Sequence, residues 1–291
     1  MKTFSVIVAT LGRVEELDRL LESLDKQSLT DFEVIVVDQN PDDRIAPVLQ
    51  RHATLVIKRI RTEPGGSRAR NLGIKAASGM LIAFPDDDCS YPDNLLARLR
   101  DWFDRHPDLS GLFACLRDAD QKQVGPKRPP ESCVCSKHHL LYVALTPGGF
   151  LRRSVVDQVG FFNEAIGVGA KSRYQSGEDL DYFLRVCELG GILWYEAGFT
   201  VHHPSFHSPE RLRRTTYLYA LGGAYVMRIH GFSLWSFLRW PVRSLGGALL
   251  SCMKADFENA RIYVTRAAGQ CRGFFWGPRE LKRHVQTRQV P

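Results

Sequence analysis

Several features that would place a chain in a specialised class are missing from this sequence. It has no uninterrupted apolar run of the roughly 18 residues that a transmembrane helix requires, no internal repeat and no low-complexity segment. Its seven cysteines are odd in number and scattered, so no disulfide framework is visible and a reducing compartment fits best. The opening residues, MKTFSVIVAT, lack the long apolar core and the cleavage site of a signal peptide. We therefore expect a cytoplasmic protein.

Two glycine motifs of nucleotide-binding proteins are also absent. No Gly-x-Gly-x-x-Gly follows the first apolar segment, which argues against a dinucleotide-dependent dehydrogenase. No Gly-x-x-x-x-Gly-Lys-Ser is present either, which argues against a phosphate-binding P-loop. The segment 10–13 is a poor version of the glycine-rich loop of sugar nucleotidyltransferases, so that class is only an alternative.

The composition that is present is typical of a globular protein, but the charge is unevenly distributed. The chain has 291 residues, of which 44% are hydrophobic and 24% charged, and its net charge is +7. Residues 205–291 hold fourteen Lys or Arg against four Asp or Glu, so residues 1–204 carry a net charge of −3. This asymmetry predicts that the tail meets an anionic partner, such as a membrane surface or nucleic acid, unless it is a solvated basic face.

Apolar segments of strand length alternate with amphipathic helical segments along the first 200 residues. The predicted strands are 4–10, 32–38, 54–60, 80–84, 109–116, 146–152, 192–195 and 199–202. The alternation predicts a doubly wound, mostly parallel α/β sheet. Residues 118–139 and 167–177 are predicted to be surface loops, and the pattern from residue 210 onward is helical with a break at Pro241.

Three aspartates, Asp86, Asp87 and Asp88, follow directly on one of the predicted strands. Ligands in open α/β sheets bind beyond the carboxyl ends of the strands. Adjacent carboxylates repel one another unless a cation is present, and their oxygens suit a hard ion such as Mg²⁺ or Mn²⁺. Alternation along an extended turn predicts that Asp86 and Asp88 converge while Asp87 points elsewhere. The alternative is an acidic turn that caps the helix after Pro92.

Other residues predicted to lie at the same sheet edge suit a nucleotide. Asp38 ends a strand, where a carboxylate either accepts hydrogen bonds from a nucleobase or ribose or binds its own backbone in a turn. Thr10 ends the first strand at the same edge. The segment 64–73 combines a Pro-Gly-Gly turn, two arginines including Arg70 and a helix start, which favours phosphate. The alternative there is a surface helix with solvated arginines.

Acidic residues and histidines later in the chain complete the candidate set. Glu178 and Asp179 open a helix after a glycine-rich loop, where a carboxylate is either a helix-dipole partner or a general base. His202 and His203 precede a proline, and strand alternation turns only one of them inward, where an imidazole could ligate Mn²⁺. We expect His203, because a residue before proline is held extended. The spacing at 133–139 is too tight for a zinc site.

The order of these motifs resembles that of the family 2 glycosyltransferases of the GT-A fold. The shared pattern begins with SVIVAT and VVDQN and continues with an Ala-Arg-Asn-x-Gly helix start at 69–73. An aspartate triplet before a proline, a Gly-Glu-Asp helix start at 177–179 and a histidine before Pro204 follow in the family's order. Six motifs in one order make the resemblance specific over residues 4–204.

The resemblance implies a fold, a set of site residues and a mechanism. The implied fold is a GT-A-type sheet in residues 1–204 followed by a helical C-terminal appendage in residues 205–291. The implied reaction is a single displacement that inverts the sugar, from a nucleoside-diphosphate sugar to a hydroxyl of a glycan or lipid-linked acceptor. The implied residues are Thr10, Asp38, Arg70, Asp86 and Asp87 for the donor, Asp88, Asp86 and His203 for Mn²⁺ or Mg²⁺, and Asp179, or alternatively Glu178, for the base.

The C-terminal appendage contains aromatic and basic residues in alternation. These residues are Phe232, Trp235, Phe237, Leu238, Arg239, Trp240 and Arg243. The composition suits a helix lying in a membrane interface, and the alternatives are an appendage packed on the catalytic domain or a protein interface. A non-catalytic module that binds glycans or nucleic acid through the tail is a further functional alternative, and nucleic acid is the less expected partner.

Overall fold

A computed structural model describes residues 2–126, 128–205 and 209–277 as a mixed α/β protein. The strands are β1 (Phe4–Thr10), β2 (Phe32–Asp38), β3 (Ile57–Arg61), β4 (Leu81–Ala83), β5 (Gly111–Arg117), β6 (Cys133–Val134), β7 (Gly149–Arg152) and β8 (Leu193–His202). The helices are α1 (Glu15–Asp25), α2 (Ala46–Arg51), α3 (Gly66–Ala76), α4 (Leu95–Arg105), α5 (Lys137–Val143), α6 (Arg153–Val159), α7 (Glu178–Glu188), α8 (Pro209–Ile229), α9 (Leu234–Met253) and α10 (Phe257–Trp276). A 3₁₀ turn at Thr146–Gly148 precedes β7.

The eight strands form one sheet in the order β3-β2-β1-β4-β7-β5-β8-β6. The first four in this order are parallel, and β5 and β8 are parallel to each other. Strand β7 is antiparallel to both of its neighbours, and β6 is antiparallel to β8. Strands β1 and β2 are buried along almost their whole length, which explains their continuous apolar runs. The predicted mostly parallel sheet is confirmed.

The register of the sheet collects polar residues at one edge. Thr10 at the end of β1 lies opposite Asp38 at the end of β2. Asp86, which follows β4, forms an isolated bridge with Ala9 of β1. The carboxyl ends of three parallel strands therefore meet at this edge, where ligands bind in open α/β sheets.

Two segments of the sheet differ from the sequence-based expectations. Residues 118–139 contain β6 and the start of α5, so a loop throughout is wrong. Ser136 caps α5 by accepting a hydrogen bond from the backbone of His139, whose ring reaches back to the Ser136 amide. A capping box is recognised in a sequence by Glu or Gln at that third position, so histidine gives no signal there. The segments 192–195 and 199–202 are one strand, β8, with a register shift against β5.

The chain divides into two compact units. The first holds residues 2–162 and 182–205 and includes the whole sheet, and the second holds residues 163–181 and 209–277. Within the second unit, α10 packs so closely on α8 that a Cβ at Gly273 would lie only 2.1 Å from the carbonyl oxygen of Leu221. The absence of a side chain at Gly273 allows this approach. In the described part of the chain, no helix combines the length and apolarity needed to cross a membrane.

Helix α9 continues through Pro241, whereas the sequence pattern predicts a break there. A proline in a helix interior removes one backbone hydrogen bond and costs about 3 kcal/mol. Packing on α10 offsets this cost: the Phe237 ring stacks on Phe274 with centroids 3.9 Å apart, and Ser244 Oγ donates to Gln270 Oε1 at 3.1 Å. The predicted break is therefore wrong, because tertiary packing outweighs the local propensity.

Candidate active site

His203 stands between two of the three aspartates. Its Nε2 lies 3.6 Å from Asp86 Oδ2 and 3.4 Å from Asp88 Oδ1. The other ring nitrogen, Nδ1, donates to the carbonyl of Pro204 at 2.7 Å, so Nε2 faces the carboxylates as an N–H donor when the ring is charged and as a lone pair when it is neutral. The geometry thus brings Asp86, Asp88 and His203 together, as strand alternation predicts, while His202 stays in the ladder beside Ser90.

Charges within this cluster shift the pKa values of its members. Burial alone would lower the pKa of His203, but its hydrogen bond to Asp86 and the charges of Asp86 and Asp88 raise it above the ordinary value. Burial would raise the pKa of Asp86, but His203 and the charge of Arg70 lower it. Both pKa shifts favour the charged forms, because the opposite charges of the neighbouring groups stabilise the charge on each group.

The chemistry of the cluster fits a hard divalent cation. Asp88 Oδ1 is buried and accepts no hydrogen bond from any residue that the structure describes, an arrangement that a cation would complete. Ligand atoms of Asp88, Cys89 and His203 lie within 4.8 Å of one another. Burial, together with the charge of Asp86, raises the pKa of the Cys89 thiol well above its ordinary value, so carboxylate and imidazole are the better ligands here.

Arg13 bridges Asp87 and Asp88. Its Nη1 donates to Asp87 Oδ1 at 2.7 Å and to Asp88 Oδ2 at 2.6 Å. Burial raises the pKa of Asp87 to about 6, against the opposing charge of Arg13. Thr10 is fully buried beside them, and its hydroxyl donates to the carbonyl of Arg13 at 3.4 Å. Both carboxylates therefore pair with the guanidinium of Arg13 through one oxygen, and the other oxygen of Asp88, Oδ1, lies 3.4 Å from His203 Nε2.

Asp38 is fully buried and accepts hydrogen bonds on both carboxylate oxygens. The backbone and side-chain amides of Asn40 donate to Oδ1 at 2.9 and 2.7 Å. Arg59 donates to Oδ2 from Nε and Nη2 at 3.0 and 2.5 Å. Burial would raise the pKa of Asp38, but these bonds lower it, so the group is ionised. The Asn40 contact is the turn that the sequence offers as an alternative, and the role of Asp38 in nucleotide binding stays a prediction.

The Ala-Arg-Asn-x-Gly motif joins α3 to the sheet edge through three different contacts. Arg70 Nη2 lies 3.3 Å from Asp86 Oδ1. The side chain of Asn71 donates to the carbonyl of Phe162 at 3.0 Å and accepts from its amide at 2.7 Å. A Cβ at Gly73 would lie 2.2 Å from Ile7 Cγ2, so only glycine allows α3 this close to β1. The motif therefore fixes a guanidinium beside the aspartates.

The first turn of α7 belongs to the second unit and is fixed by a glycine. Gly177 has a φ of +95°, which favours glycine, and a Cβ there would lie 2.9 Å from Val226 Cγ2 of α8. Asp181 accepts a hydrogen bond from His230 Nε2, with the two atoms 2.9 Å apart. These contacts hold the start of α7 against α8 inside this unit.

The two candidate bases differ in their surroundings. Glu178 is buried against the glycine-rich loop, where the amide of Val168 lies 3.5 Å from its Oε1 and Gly167 has no room for a Cβ. Asp179 is half-buried. Both carboxylates lie in the first turn of α7. The role of either residue as the base stays a prediction.

More than half of the chain matches a known protein family. Residues 5–160 match the model of the family described as Glycosyl transferase family 2. The chain belongs to this family. The resemblance carried by the sequence motifs is therefore confirmed, and the protein is a glycosyltransferase.

This glycosyltransferase is similar to proteins of known name and structure. It is 27% identical over 201 residues to the amylovoran biosynthesis glycosyltransferase AmsB of Erwinia amylovora. The aligned residues cover 65% of this chain and 65% of AmsB. Residues 1–349 of S. aureus TarS with UDP-GlcNAc give a TM-score of 0.60 at 18% identity, covering 93% of both chains, although the match spans only 55% of the longer TarS chain. The mannosyltransferase PcManGT of Pyrobaculum calidifontis, with GDP-Man and Mn²⁺, gives 0.62 at 16% identity, covering 94% and 88%. These likenesses establish the GT-A fold.

Three residues of this glycosyltransferase's candidate site are not among those predicted from the sequence. Arg13 comes three residues after the end of β1 and bridges Asp87 and Asp88. Arg59 of β3 holds Asp38 across the sheet. Cys89 directly follows the aspartates and is buried with them. A usable signal exists for Arg13, because a basic residue just after a strand end lies at the ligand edge, but none exists for Arg59.

Proposed function

We propose that this glycosyltransferase moves a sugar from a nucleoside-diphosphate sugar to a hydroxyl of a glycan or lipid-linked acceptor in the cytoplasm. The reaction is metal-dependent and inverts the anomeric configuration. The observation that carries the proposal is Asp88 Oδ1, a buried carboxylate oxygen that accepts no hydrogen bond from the described part of the chain and lies 3.4 Å from His203 Nε2 at the ligand edge of the sheet. The biosynthetic name of AmsB supports a glycan-building role.

Asp88, Asp86 and His203 would hold the divalent ion, which is Mn²⁺ or Mg²⁺. When bound, the ion would neutralise the charge that develops on the leaving diphosphate. The mannosyltransferase PcManGT is described with Mn²⁺ and GDP-Man, which supports a divalent ion in this fold. The Nδ1 proton of His203 is held by Pro204, and such a second contact fixes the tautomer of a ligand histidine.

Thr10, Asp38, Asp87, Asp86 and Arg70 would bind the donor. Asp38 is kept ionised by its hydrogen bonds, so its oxygens can accept from the nucleobase or ribose. Arg70 is positioned by α3 beside Asp86, and its fork of N–H donors suits diphosphate oxygens. The TarS structure with UDP-GlcNAc supports a nucleotide sugar as the donor.

Asp179 would act as the general base, with Glu178 as the alternative. It removes the proton of the acceptor hydroxyl while the oxygen attacks the anomeric carbon from the face opposite the diphosphate. The start of a helix is a favourable place for such a carboxylate, because the positive end of the helix dipole attracts negative charge. The burial of Glu178 against the loop makes Asp179 the better candidate.

Calorimetric titration with UDP, GDP, dTDP and CDP, each with and without Mn²⁺, tests the proposal. We expect one nucleotide to bind in a Mn²⁺-dependent manner, and Asp88→Ala to weaken this binding by about a hundredfold, because a metal ligand is lost. Asp101→Ala removes an exposed aspartate that pairs with Arg100 and serves as the matched control. Absence of nucleotide binding under all conditions, or equal binding by both variants, would contradict the metal-diphosphate site.

A further inference from the structure

Helix α9 exposes a continuous apolar stripe on the side that faces away from its own unit. Trp235, Val242 and Leu249 are spaced by seven residues, and Met253 follows four residues later, so all four share one helix face. Their exposed fractions are 80, 64, 64 and 76%. Single exposed apolar residues are ordinary, but a stripe that runs along a 20-residue helix marks an interaction surface.

The opposite side of α9 is fully used by packing, so the stripe is no part of the core. Phe237, Pro241, Ser244 and Ala248 are buried, and a Cβ at Gly247 would lie 2.8 Å from the ring of Tyr263. The aromatic residues predicted from the sequence to lie in a membrane interface therefore have different environments. Phe232 and Phe237 are buried, whereas Trp235 is exposed.

Basic residues border the stripe, and acidic ones are absent from it. Arg239 and Arg243 are both exposed, and Lys254 follows the last turn. No Asp or Glu occurs between Ser233 and Ala255. An apolar stripe with a basic border complements an anionic lipid surface, into which the apolar side chains insert while the long basic ones reach the headgroups.

We propose that α9 docks this glycosyltransferase on an anionic membrane surface, lying flat along its whole length. A helix of 20 residues is about 30 Å long, and the stripe covers it from Trp235 to Met253, so the contact is lateral rather than spanning. A second copy of the chain fits less well, because a two-fold pairing of this face would oppose the same arginines on both copies. The docking does not depend on the transfer reaction.

Flotation of the full chain with lipid vesicles tests the docking without donor, acceptor or activity. One set of vesicles is phosphatidylcholine alone, and the other contains about a quarter phosphatidylglycerol. We expect binding to the anionic set that weakens with added salt. The double variant V242S/L249S should lose about tenfold or more in binding. The control V56S/L189S, which removes two apolar residues of similar exposure elsewhere, should lose none.

Two further measurements separate the contributions of charge and insertion. R239Q/R243Q should weaken binding to the anionic vesicles by about fivefold per arginine, whereas R19Q/R100Q, with the same charge change, should not. The fluorescence of Trp235, isolated by comparison with W235F, should shift to the blue on binding.

Failure of the native chain to bind anionic vesicles, or equal binding by V242S/L249S, would overturn the proposal. Self-association that V242S/L249S abolishes, without vesicle binding, would assign the stripe to a second copy and overturn it as well.

Because nucleotide binding is measured separately by calorimetry, the two proposals fail independently. A chain that binds nucleotide with Mn²⁺ but no vesicle retains the transferase proposal and loses the docking. A chain that binds vesicles but no nucleotide does the reverse.

Discussion

Asp87 and Asp88 are neighbours in sequence but have different surroundings in the folded chain. Asp87 is buried on the side of Arg13, and this burial raises its pKa to about 6. Asp88 keeps one buried oxygen beside His203 that receives no hydrogen bond from residues 2–126, 128–205 and 209–277. A cation is therefore expected on Asp88 and not on Asp87, since a metal ligand must offer a free lone pair. At the scale of residues, the alternation of side chains determines which carboxylate we expect to bind the metal.

The assignment of the base is also a question at the scale of residues. We expect Asp179→Asn to lower kcat by about a thousandfold, because general-base catalysis of this kind contributes between a hundred- and ten-thousandfold. Nucleotide binding should be unchanged, since the variant alters no donor-binding residue. The measurement is steady-state transfer combined with nucleotide calorimetry.

Glu178→Gln is the matched control for that experiment, because it neutralises the neighbouring carboxylate. A larger loss of kcat in Glu178→Gln than in Asp179→Asn would transfer the role of base to Glu178. Equal activity of all three proteins would remove both residues from the mechanism.

At the scale of elements, α3 shows how a helix holds a functional side chain in place. Gly73 brings the helix into contact with Ile7 of β1, and Asn71 binds the backbone of Phe162 twice. These two contacts fix the rotation of α3, and Arg70 is thereby directed at Asp86. Gly73 and Asn71 thus have structural roles, and Arg70 supplies the charge at the sheet edge.

Gly73→Ala tests this packing. An alanine normally stabilises a helix interior relative to glycine, but here its Cβ would lie 2.2 Å from Ile7 Cγ2, so the strand or helix must move. We expect a loss of about 1–3 kcal/mol in the free energy of unfolding, measured by urea denaturation.

Gly246→Ala in α9 is the control, since a Cβ there meets no atom within 4 Å. This variant should be neutral or more stable by up to about 1 kcal/mol. A Gly73→Ala protein as stable as the Gly246→Ala protein would show that α3 tolerates a shift away from β1.

At the scale of the whole molecule, the proposed ligands should stabilise the fold that binds them. A ligand present at about a hundred times its dissociation constant adds about 2.7 kcal/mol to the free energy of unfolding. For a chain of this size the corresponding rise in Tm is about 5 °C. We expect this rise with Mn²⁺ and the bound nucleotide together, measured by differential scanning fluorimetry.

Asp88→Ala should show no such rise, whereas Asp101→Ala should behave as the native chain. An equal rise with nucleotide alone and with nucleotide plus Mn²⁺ would argue against a metal-bridged diphosphate. The C-terminal residues 278–291 lie outside the described part of the chain, and the prediction does not depend on them.

Much of this protein is determined by its sequence alone. Continuous apolar runs identified β1 and β2, because a strand buried on both faces needs no polar residue. The order of six motifs identifies the family, and the alternation of side chains, with the extended residue before Pro204, indicates that Asp86, Asp88 and His203 are neighbours. These features depend on local geometry, which a periodic pattern records directly.

Only the tertiary structure decided the remaining features, since they depend on residues far apart in the chain. Arg13 and Asp88 are 75 residues apart in sequence, yet share a hydrogen bond. The antiparallel strand β7 lies between β4 and β5, although a pattern of strands and helices carries no information on strand order. The same holds for α9, whose inward and outward faces are both apolar. Composition could not separate the face that packs on α10 from the face that we propose meets the membrane.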